Sequence, residues 1–583
     1  MIKKIKSDLC VVGGGLAGLC AAISASRKGL KVVLVHDRPV LGGNASSEIR
    51  MWVRGASVSF PEYREGGIVE ELAMDNMYYN PYQTFPLWDG VLYNKAISEK
   101  NLTLLMNTTC NGAEYKDNKI KCVKAWQLTT YTNFEICADY FADCSGDSVL
   151  SQFIPAEITS GRESFDMFHE SGAKEVADNK TMGNSCLIQC RETTHEVPCI
   201  PFPFVYKFKD EDFNYRMNIS AKDGFLKDNF WWLEKGGNQD TIKDAEVIKD
   251  ELLKRSFGAW DYIKNSGKFD SDNWELSFAG FVGGKRENRR YIGDYVLTQN
   301  DLEQAKEFRD EIAYGGWTMD DHNPDGIDTN APPNVHYRIK NPYPIPLRCI
   351  YSKNIENLFF AGRNISATHL AISSTRVMAT CALLGQAVGS AAYVAKKYKL
   401  NSKQLLGKTD ELKQILRNED CFLLNTPRKL SYSILNSENN LSDKDFNALK
   451  SGIERKIGDK DPVLELNPNQ EIEFEFENVY CESVRLLFDN DIARNSYTDY
   501  DFKQYPMKCN TFLNETKYQL PECLIKNYEI SVKVGDMWRV IAIKDNHTRL
   551  NLIPIREKIT GLKFKGISTY GLKKIRLYSI DIL

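Results

Sequence analysis

A chain of 583 residues is too long for one hydrophobic core and predicts about two to four domains. Its 75 Lys and Arg residues nearly balance 78 Asp and Glu, a formal net charge of −3, so the total favours neither nucleic acid nor an anionic membrane as a partner. The opening MIKKIKSDLC has no apolar core of signal-peptide length, and no run approaches the roughly twenty apolar residues of a membrane span, which predicts a cytoplasmic protein.

The fifteen cysteines are scattered without a CxxC pair. Cys186 and Cys190 are four apart, but no second pair or nearby His completes a zinc site. The expectation is reduced, buried thiols, no metal centre and no redox disulfide.

Residues 7–43 carry the strongest local pattern. Leu9 to Val12 reads as a strand, and Gly13, Gly15 and Gly18 form a GxGxxG turn that lets backbone approach a pyrophosphate at a helix N-terminus. The helix is predicted from about Leu16 to Arg27, with Ala17, Ala21, Ala22 and Ala25 allowing close packing; Gly29 ends it before a second strand, Lys31 to Val35. At the end of that strand, where an acid would hold a ribose hydroxyl, stands His36, with Asp37 next to it. Either side chain could take the ribose.

After Gly43, NASSEIRMWVRGA reads as a loop into a second layer, and an aromatic-rich stretch follows to Trp88. Strands are predicted at Leu102 to Leu105 and Cys122 to Thr130, with a turn at Lys116 to Asn118. The run from Ile136 stops at Gly146 and Asp147, a glycine turn beside an acid that again brings backbone near a ligand. Residues 1–155 thus form the first part of an α/β Rossmann-like dinucleotide-binding domain.

Residues 156–340 change in composition and read as an inserted α+β cap or substrate domain with one long helix, Asp240 to Ile263. It ends in two clusters, GGKRENRRYIGDYVLTQND from Gly283 and GGWTMDDHNPDG from Gly315, whose mixture of Arg, Asp, His and Trp suits a ligand-facing role. Residues 341–400 return to the first domain through a strand at Asn357 to Ala361, the polar loop GRNISATHLAISS, and a helix from about Thr375 to Tyr398. Its small face, Gly385, Ala387, Gly389, Ala391 and Ala392, suits a sheet, a cofactor or plain core packing. Residues 401–460 read as a helical linker. In 461–583 apolar residues alternate with polar ones, as at Ile472, Phe474, Phe476 and at Tyr578, Ile580, Ile582, predicting an all-β sandwich with Trp538 in its core.

Five motifs in one order, GxGxxG at Gly13 to Gly18, LGG at Leu41 to Gly43, DCSGD at Asp143 to Asp147, KRENRRYIGDYVLT from Lys285 and LFFAGRNISATHLAISSTRVMATCALLGQAVG from Leu358, resemble the flavin-dependent oxidoreductases that share the fold of fumarate reductase and glutathione reductase. The last 120 or so residues resemble discoidin-like, galactose-binding-like jelly rolls through VRLLFDND, YEISVKVGDMWRVIAIKDNHTRL and IRLYSIDIL. The first resemblance implies FAD, its pyrophosphate held by Gly13, Gly15 and Gly18 with Leu16 and Ala17 beside them. It places Gly42, Gly43 and Asn44 near the adenosine-ribityl side, Gly146 and Asp147 near the adenine half, and Gly362 and Arg363 at the flavin half, with His36 or Asp37 left for the ribose. Where fumarate reductase relatives carry a flavin-linked histidine, this chain has Asn44, Ala45 and Ser46, so the FAD is expected to be non-covalent. No second GxGxxG follows, so no NAD(P)H domain is expected, and the electron acceptor or donor stays open among a small substrate, oxygen, a quinone and a protein carrier.

Such a protein must place a C–H or C=C bond against the flavin and manage one proton. Two histidines are candidates: His369, predicted just before a helix and therefore neutral near pH 7, and His322, with Asp321 available to orient it. Arg286, Arg348 and Arg376 could bind a carboxylate or hydroxyls, while Arg289 and Arg290 suit anchoring of the cap. Three functions follow: oxidation of a hydroxyl-bearing carbon of a sugar or glycan, reduction of an activated C=C bond, or a non-redox FAD-containing glycan-binding protein. A small-molecule or glycan substrate is the expected partner, nucleic acid and membrane are not, and a homo-oligomer is left open.

Overall fold

The computed structural model describes residues 2–213, 226, 229–492 and 519–583. Its first sheet is built on β1 (Ile2–Val12), β2 (Val32–Val35), β3 (Leu102–Leu105), β4 (Thr108–Lys116), β5 (Lys119–Gln127), β6 (Thr132–Asp143) and β7 (Leu358–Phe360), in the order β3-β2-β1-β6-β5-β4. The long strand β6 is shared: its first half pairs antiparallel with β5, and its end pairs parallel with β7 at Phe141 to Asp143. Parallel registers bring Val12, Val35 and Asp143 to one carboxyl edge of the sheet. That edge is where ligands bind in open parallel sheets.

Sequence and structure agree on these core strands and differ around them. Strand β1 starts at Ile2 because its exposed Lys and Ile residues pair with β6 from Asn133 onward. Strand β4 has no clear signal in TTCNGAEYK, and the aromatic-rich stretch contains two helices, Ile68–Tyr79 and Phe85–Ile97. The cysteines are not all reduced: Cys122 and Cys137, directly opposed across β5 and β6, are disulfide-bonded. Together with Glu135 they bring ligand-type atoms within 4.8 Å of one another, but both sulfurs are already taken by the bond. Cys509 lies outside the described residues.

Helix α1 (Leu16–Arg27) is buried along nearly its whole length. The return-segment helix predicted from about Thr375 is α3 (Met378–Tyr398), and the loop predicted before it contains a further short helix, α2 (His369–Thr375), separated from α3 at Val377, where the backbone becomes extended. The small face of α3 fits α1 rather than a cofactor. A Cβ at Gly385 would sit 1.9 Å from the Ala17 carbonyl, and one at Gly389 would sit 2.4 Å from that of Ala21. Gly385→Val is therefore expected to destabilise the domain by about 3 kcal/mol through overpacking, read as a lowered melting temperature. Contrary to the expectation that no run is long enough, α3 could span a membrane by length and composition, with a mean hydropathy of 1.3, and 89% of that stretch is buried inside the protein.

The inserted region carries helix Ala245–Asn265 and short sheets, among them a hairpin of Met319–His322 and Asn334–Tyr337. From Glu438 onward the described strands form one antiparallel sheet of seven strands; residues 493–518 of the predicted sandwich lie outside the described residues. Its last strand, Ile575–Ile582, is buried on both faces despite its alternating sequence. Residues of the predicted linker explain this: Arg428 pairs with Asp581, while Glu454 and the Ser579 hydroxyl engage Arg485. Polar residues that would otherwise face water are buried because they are paired. Trp538 is not in the core; it is half-buried on the edge strand Met537–Ile543, with the ammonium of Lys563 4.5 Å from its ring centroid.

Candidate functional site

A cavity of about 270 Å³ opens at the carboxyl edge of the sheet, walled by Gly13, Gly15, Leu16, Ala17, Gly42, Gly43, Gly146 and Gly362. The chain needs glycine here for conformation and for space. Gly13 has φ +103°, and a Cβ on it would lie 2.5 Å from the Cys144 carbonyl; Gly42 has φ +106°. Gly18 is not on the wall: a Cβ there would meet the Gly13 carbonyl at 1.8 Å, so it packs α1 against the turn. The N-terminus of α1 has no side-chain cap, leaving its first N–H groups available to an anion.

The two ribose candidates differ in their surroundings. His36 is 5% exposed, its Nδ1 accepts the Gly14 N–H at 3.0 Å and its Nε2 donates to the Val40 carbonyl at 2.9 Å. Burial pushes the imidazole below its usual pKa, consistent with this neutral tautomer. Both nitrogens hold the protein's own backbone, so His36 shapes the turn, and the Asp37 carboxylate, 60% exposed, is the neighbouring acid on that wall. Asp37→Ala is expected to weaken FAD binding about tenfold, measured by flavin fluorescence titration.

Asp147 lies between Lys285 Nζ at 2.6 Å and Arg363 Nη2 at 2.7 Å. Burial opposes its charge, but Arg363 and Lys285 outweigh this and hold the carboxyl below the usual range. Asp147 lines the first cavity, and its partners Lys285 and Arg363 line a second one. Arg363 Nη1 is buried there without a hydrogen-bond partner.

The second cavity, about 300 Å³, shares Asn44, Arg363, Arg376 and Met378 with the first. Its walls include Trp52, Trp231, Trp317, Arg54, Asp320, His322, Asn334 and His336. The hairpin supplies four of these, Asp320 opposite His336 and His322 opposite Asn334. His322, 3% exposed, has Nδ1 2.6 Å from Glu234 Oε2 and Nε2 3.2 Å from Asp320 Oδ2. Glu234 and Asp320, not Asp321, therefore orient it. Burial opposes charge on both carboxyls; Arg286 and His322 outweigh it at Glu234, His322 and Arg376 at Asp320, and both are held below the usual range.

His369 is placed differently from expectation. It is the first residue of α2, and its ring nitrogens face Glu287 Oε2 at 2.8 Å and Asp321 Oδ1 at 2.9 Å. Burial disfavours its charge, but Glu287 and Asp321 outweigh both burial and any helix-terminus effect, and the pKa is pushed up to about 10. His369 is thus a cation outside both cavities, not a neutral base. Arg348 is also outside them, paired with Asp310 at 3.0 Å. Arg286 is on the wall, but its Nη atoms donate to the Gly183 and Trp231 carbonyls at 3.1 and 3.0 Å. Arg376 lines both cavities from the break between α2 and α3, and the uncapped start of α3 faces the same junction through Val377 and Met378. Of the predicted anchors, Arg290 is fully buried against Glu287 and Glu163, and the Arg289 carbonyl accepts from Ser148 of the first domain.

Sequence reasoning missed Glu234, Trp52, Trp231, Asn334 and His336, while Trp317 and Asp320 lie in the GGWTMDDHNPDG cluster read as ligand-facing without being singled out. Asp320 and His322 share a face of one strand, a period-two signal inside TMDDH; Glu234 stands alone in WWLEKGG and has none.

A glycine-walled groove at the carboxyl edge of a parallel sheet, an uncapped helix start and a rim acid define a dinucleotide-binding protein. The chain belongs to the FAD dependent oxidoreductase family, whose model matches residues 8–416. It is an oxidoreductase and FAD is its cofactor. The observed groove fits that group, since the uncapped start of α1 and the side-chain-free backbone of Gly13, Gly15, Gly42 and Gly43 on its wall suit a pyrophosphate. A stretch of 38 residues is 58% identical to a fumarate reductase (cytochrome) of Shewanella frigidimarina, covering 6% of this chain and 7% of that protein. Among solved structures, a geranylgeranyl bacteriochlorophyll reductase-like protein of Thermoplasma acidophilum is 12% identical with a TM-score of 0.29, over 72% of this chain and 87% of its own. The p-nitrophenol 4-monooxygenase of Pseudomonas putida DLL-E4 is 12% identical with a TM-score of 0.31, over 71% and 86%.

Proposed function

We propose that the protein oxidises a hydroxyl-bearing carbon of a carbohydrate-like substrate in the second cavity, with His322 as general base. The observation that carries this reading is the buried Glu234–His322 pair on the wall of a cavity that also holds three tryptophans. Tryptophan faces suit the C–H faces of a sugar, and Asn334, His336 and Asp320 offer the polar groups that hydroxyls require. Glu234 fixes Nδ1–H, and Nε2, on the longer contact to Asp320, is the nitrogen that takes a proton once a substrate hydroxyl replaces Asp320 there. The substrate O–H proton goes to Nε2 while the carbon gives up its hydrogen with the electron pair. FAD, when bound, supplies the acceptor for that hydride. Arg376 and the uncapped start of α3 place positive potential at the junction of the cavities, where negative charge would develop.

A second reading, reduction of an activated C=C bond in an unsaturated acid, is favoured by Arg54 and Arg376 in the same cavity. An anaerobic absorbance titration separates them. Bleaching of the flavin band by a sugar or glycoside supports hydroxyl oxidation; reoxidation of chemically reduced enzyme by an unsaturated acid, with no sugar active, supports the second. The C-terminal sheet as a glycan-presenting jelly roll belongs to the first reading, and loss of glycan binding on its removal would support it.

A further inference from the structure

We propose that His369 is a positioning residue that, with Arg376, clamps the strand bearing Asp320 and His322, His369 gripping Asp321 on the face away from the cavity and Arg376 holding the backbone of Asp320. The inference rests on the reading of His322 as the base. In the strand Met319–His322, alternation sends Asp320 and His322 into the cavity and Asp321 to the opposite face. There Asp321 Oδ1 meets His369 Nε2 at 2.9 Å. Arg376 Nη2 donates to the backbone carbonyl of Asp320 at 3.0 Å. His369 opens α2 and Arg376 closes it, so the two cations lie seven positions apart on one helical face. A short rigid helix thus grips two successive residues of one strand.

The grip is itself anchored. The His369 backbone N–H donates to Glu163 Oε2 at 2.8 Å, its Nδ1–H to Glu287 Oε2 at 2.8 Å, and Thr368 Oγ1 to Glu170 Oε1 at 2.6 Å. Glu287 and Glu163 both pair with Arg290, which is fully buried. Slack at Asp321 would therefore pass directly to the neighbouring His322, whose Nε2 must lie within hydrogen-bond reach of the proton it takes, and a shift of about 1 Å there costs on the order of 10²-fold in rate.

The test uses the FAD-loaded protein labelled with ¹⁵N at histidine side chains, the His322 signals being identified by their loss in His322→Gln. Asp321→Asn is expected to shift the His322 ring signals while FAD stoichiometry matches the wild type. Unmoved His322 signals in a variant that binds FAD, whether or not its melting temperature falls, would overturn the proposal. If Asp321→Asn does not fold, His369→Gln is read in the same way. Because the readout needs no substrate, failure of the hydroxyl-oxidation reading is seen separately, as absence of bleaching by any sugar in the wild type.

Discussion

His322→Gln is expected to slow substrate-driven bleaching of the flavin by about 10²–10⁴-fold while FAD remains bound at wild-type stoichiometry. Glutamine keeps polar atoms in the space of the imidazole, so Glu234 and Asp320 retain partners and the fold is preserved, but it cannot accept a proton. The measurement is anaerobic stopped-flow absorbance with whichever sugar or glycoside bleaches the wild type. A rate within about threefold of wild type would remove His322 from the proton transfer and direct attention to His336, which is half exposed on the same wall. Glu234→Gln is the informative companion. It retains a hydrogen bond to Nδ1 but not the charge, so a loss smaller than that of His322→Gln is expected.

The largest effect on stability is expected at His369. His369→Ala leaves a buried void and removes the cation between Glu287 and Asp321, with Arg290 still paired to Glu287, and the expected loss is about 3–5 kcal/mol. Its pH dependence has a definite sign. The folded pKa is raised to about 10, above the value of about 6.5 for an unperturbed histidine. Protonation therefore favours the folded state: the contribution is complete below about pH 6.5, declines as pH rises and is gone above about pH 10. Melting curves of wild type and His369→Ala should be furthest apart at neutral pH and below and converge toward pH 10. A constant separation across that range would mean that His369 is not held as a cation.

The two histidines show how far residue type and spacing can be read. Both stood out from the sequence as proton-handling candidates, and only one reaches a cavity. His369 precedes a helix, which by itself lowers an imidazole pKa, yet two carboxylates from distant positions, 287 and 321, reverse the direction. Local sequence carries the helix dipole but not the partners, and at contact distance in a buried site full charges outweigh a terminal dipole. Asp321 looked like the orienting group of His322 because it is adjacent, but strand alternation turns neighbours to opposite faces. Orientation of His322 falls instead to Glu234, eighty-eight residues away.

The sequence by itself determined the dinucleotide half of this protein. Glycine spacing, the flanking strand and helix and the return motif are local, and each imposes its geometry wherever it folds: Gly13 must take positive φ, and Gly18 and Gly385 must let backbones touch. The tertiary structure decided the rest. It settled that His36 is spent on the Gly14 turn, that α2 and α3 are separate helices, and that tryptophans from positions 52, 231 and 317 meet around one cavity. The physical reason is range. Backbone conformation is set by a residue and its neighbours, whereas charge state, burial and the lining of a cavity are set by whichever distant segments pack there.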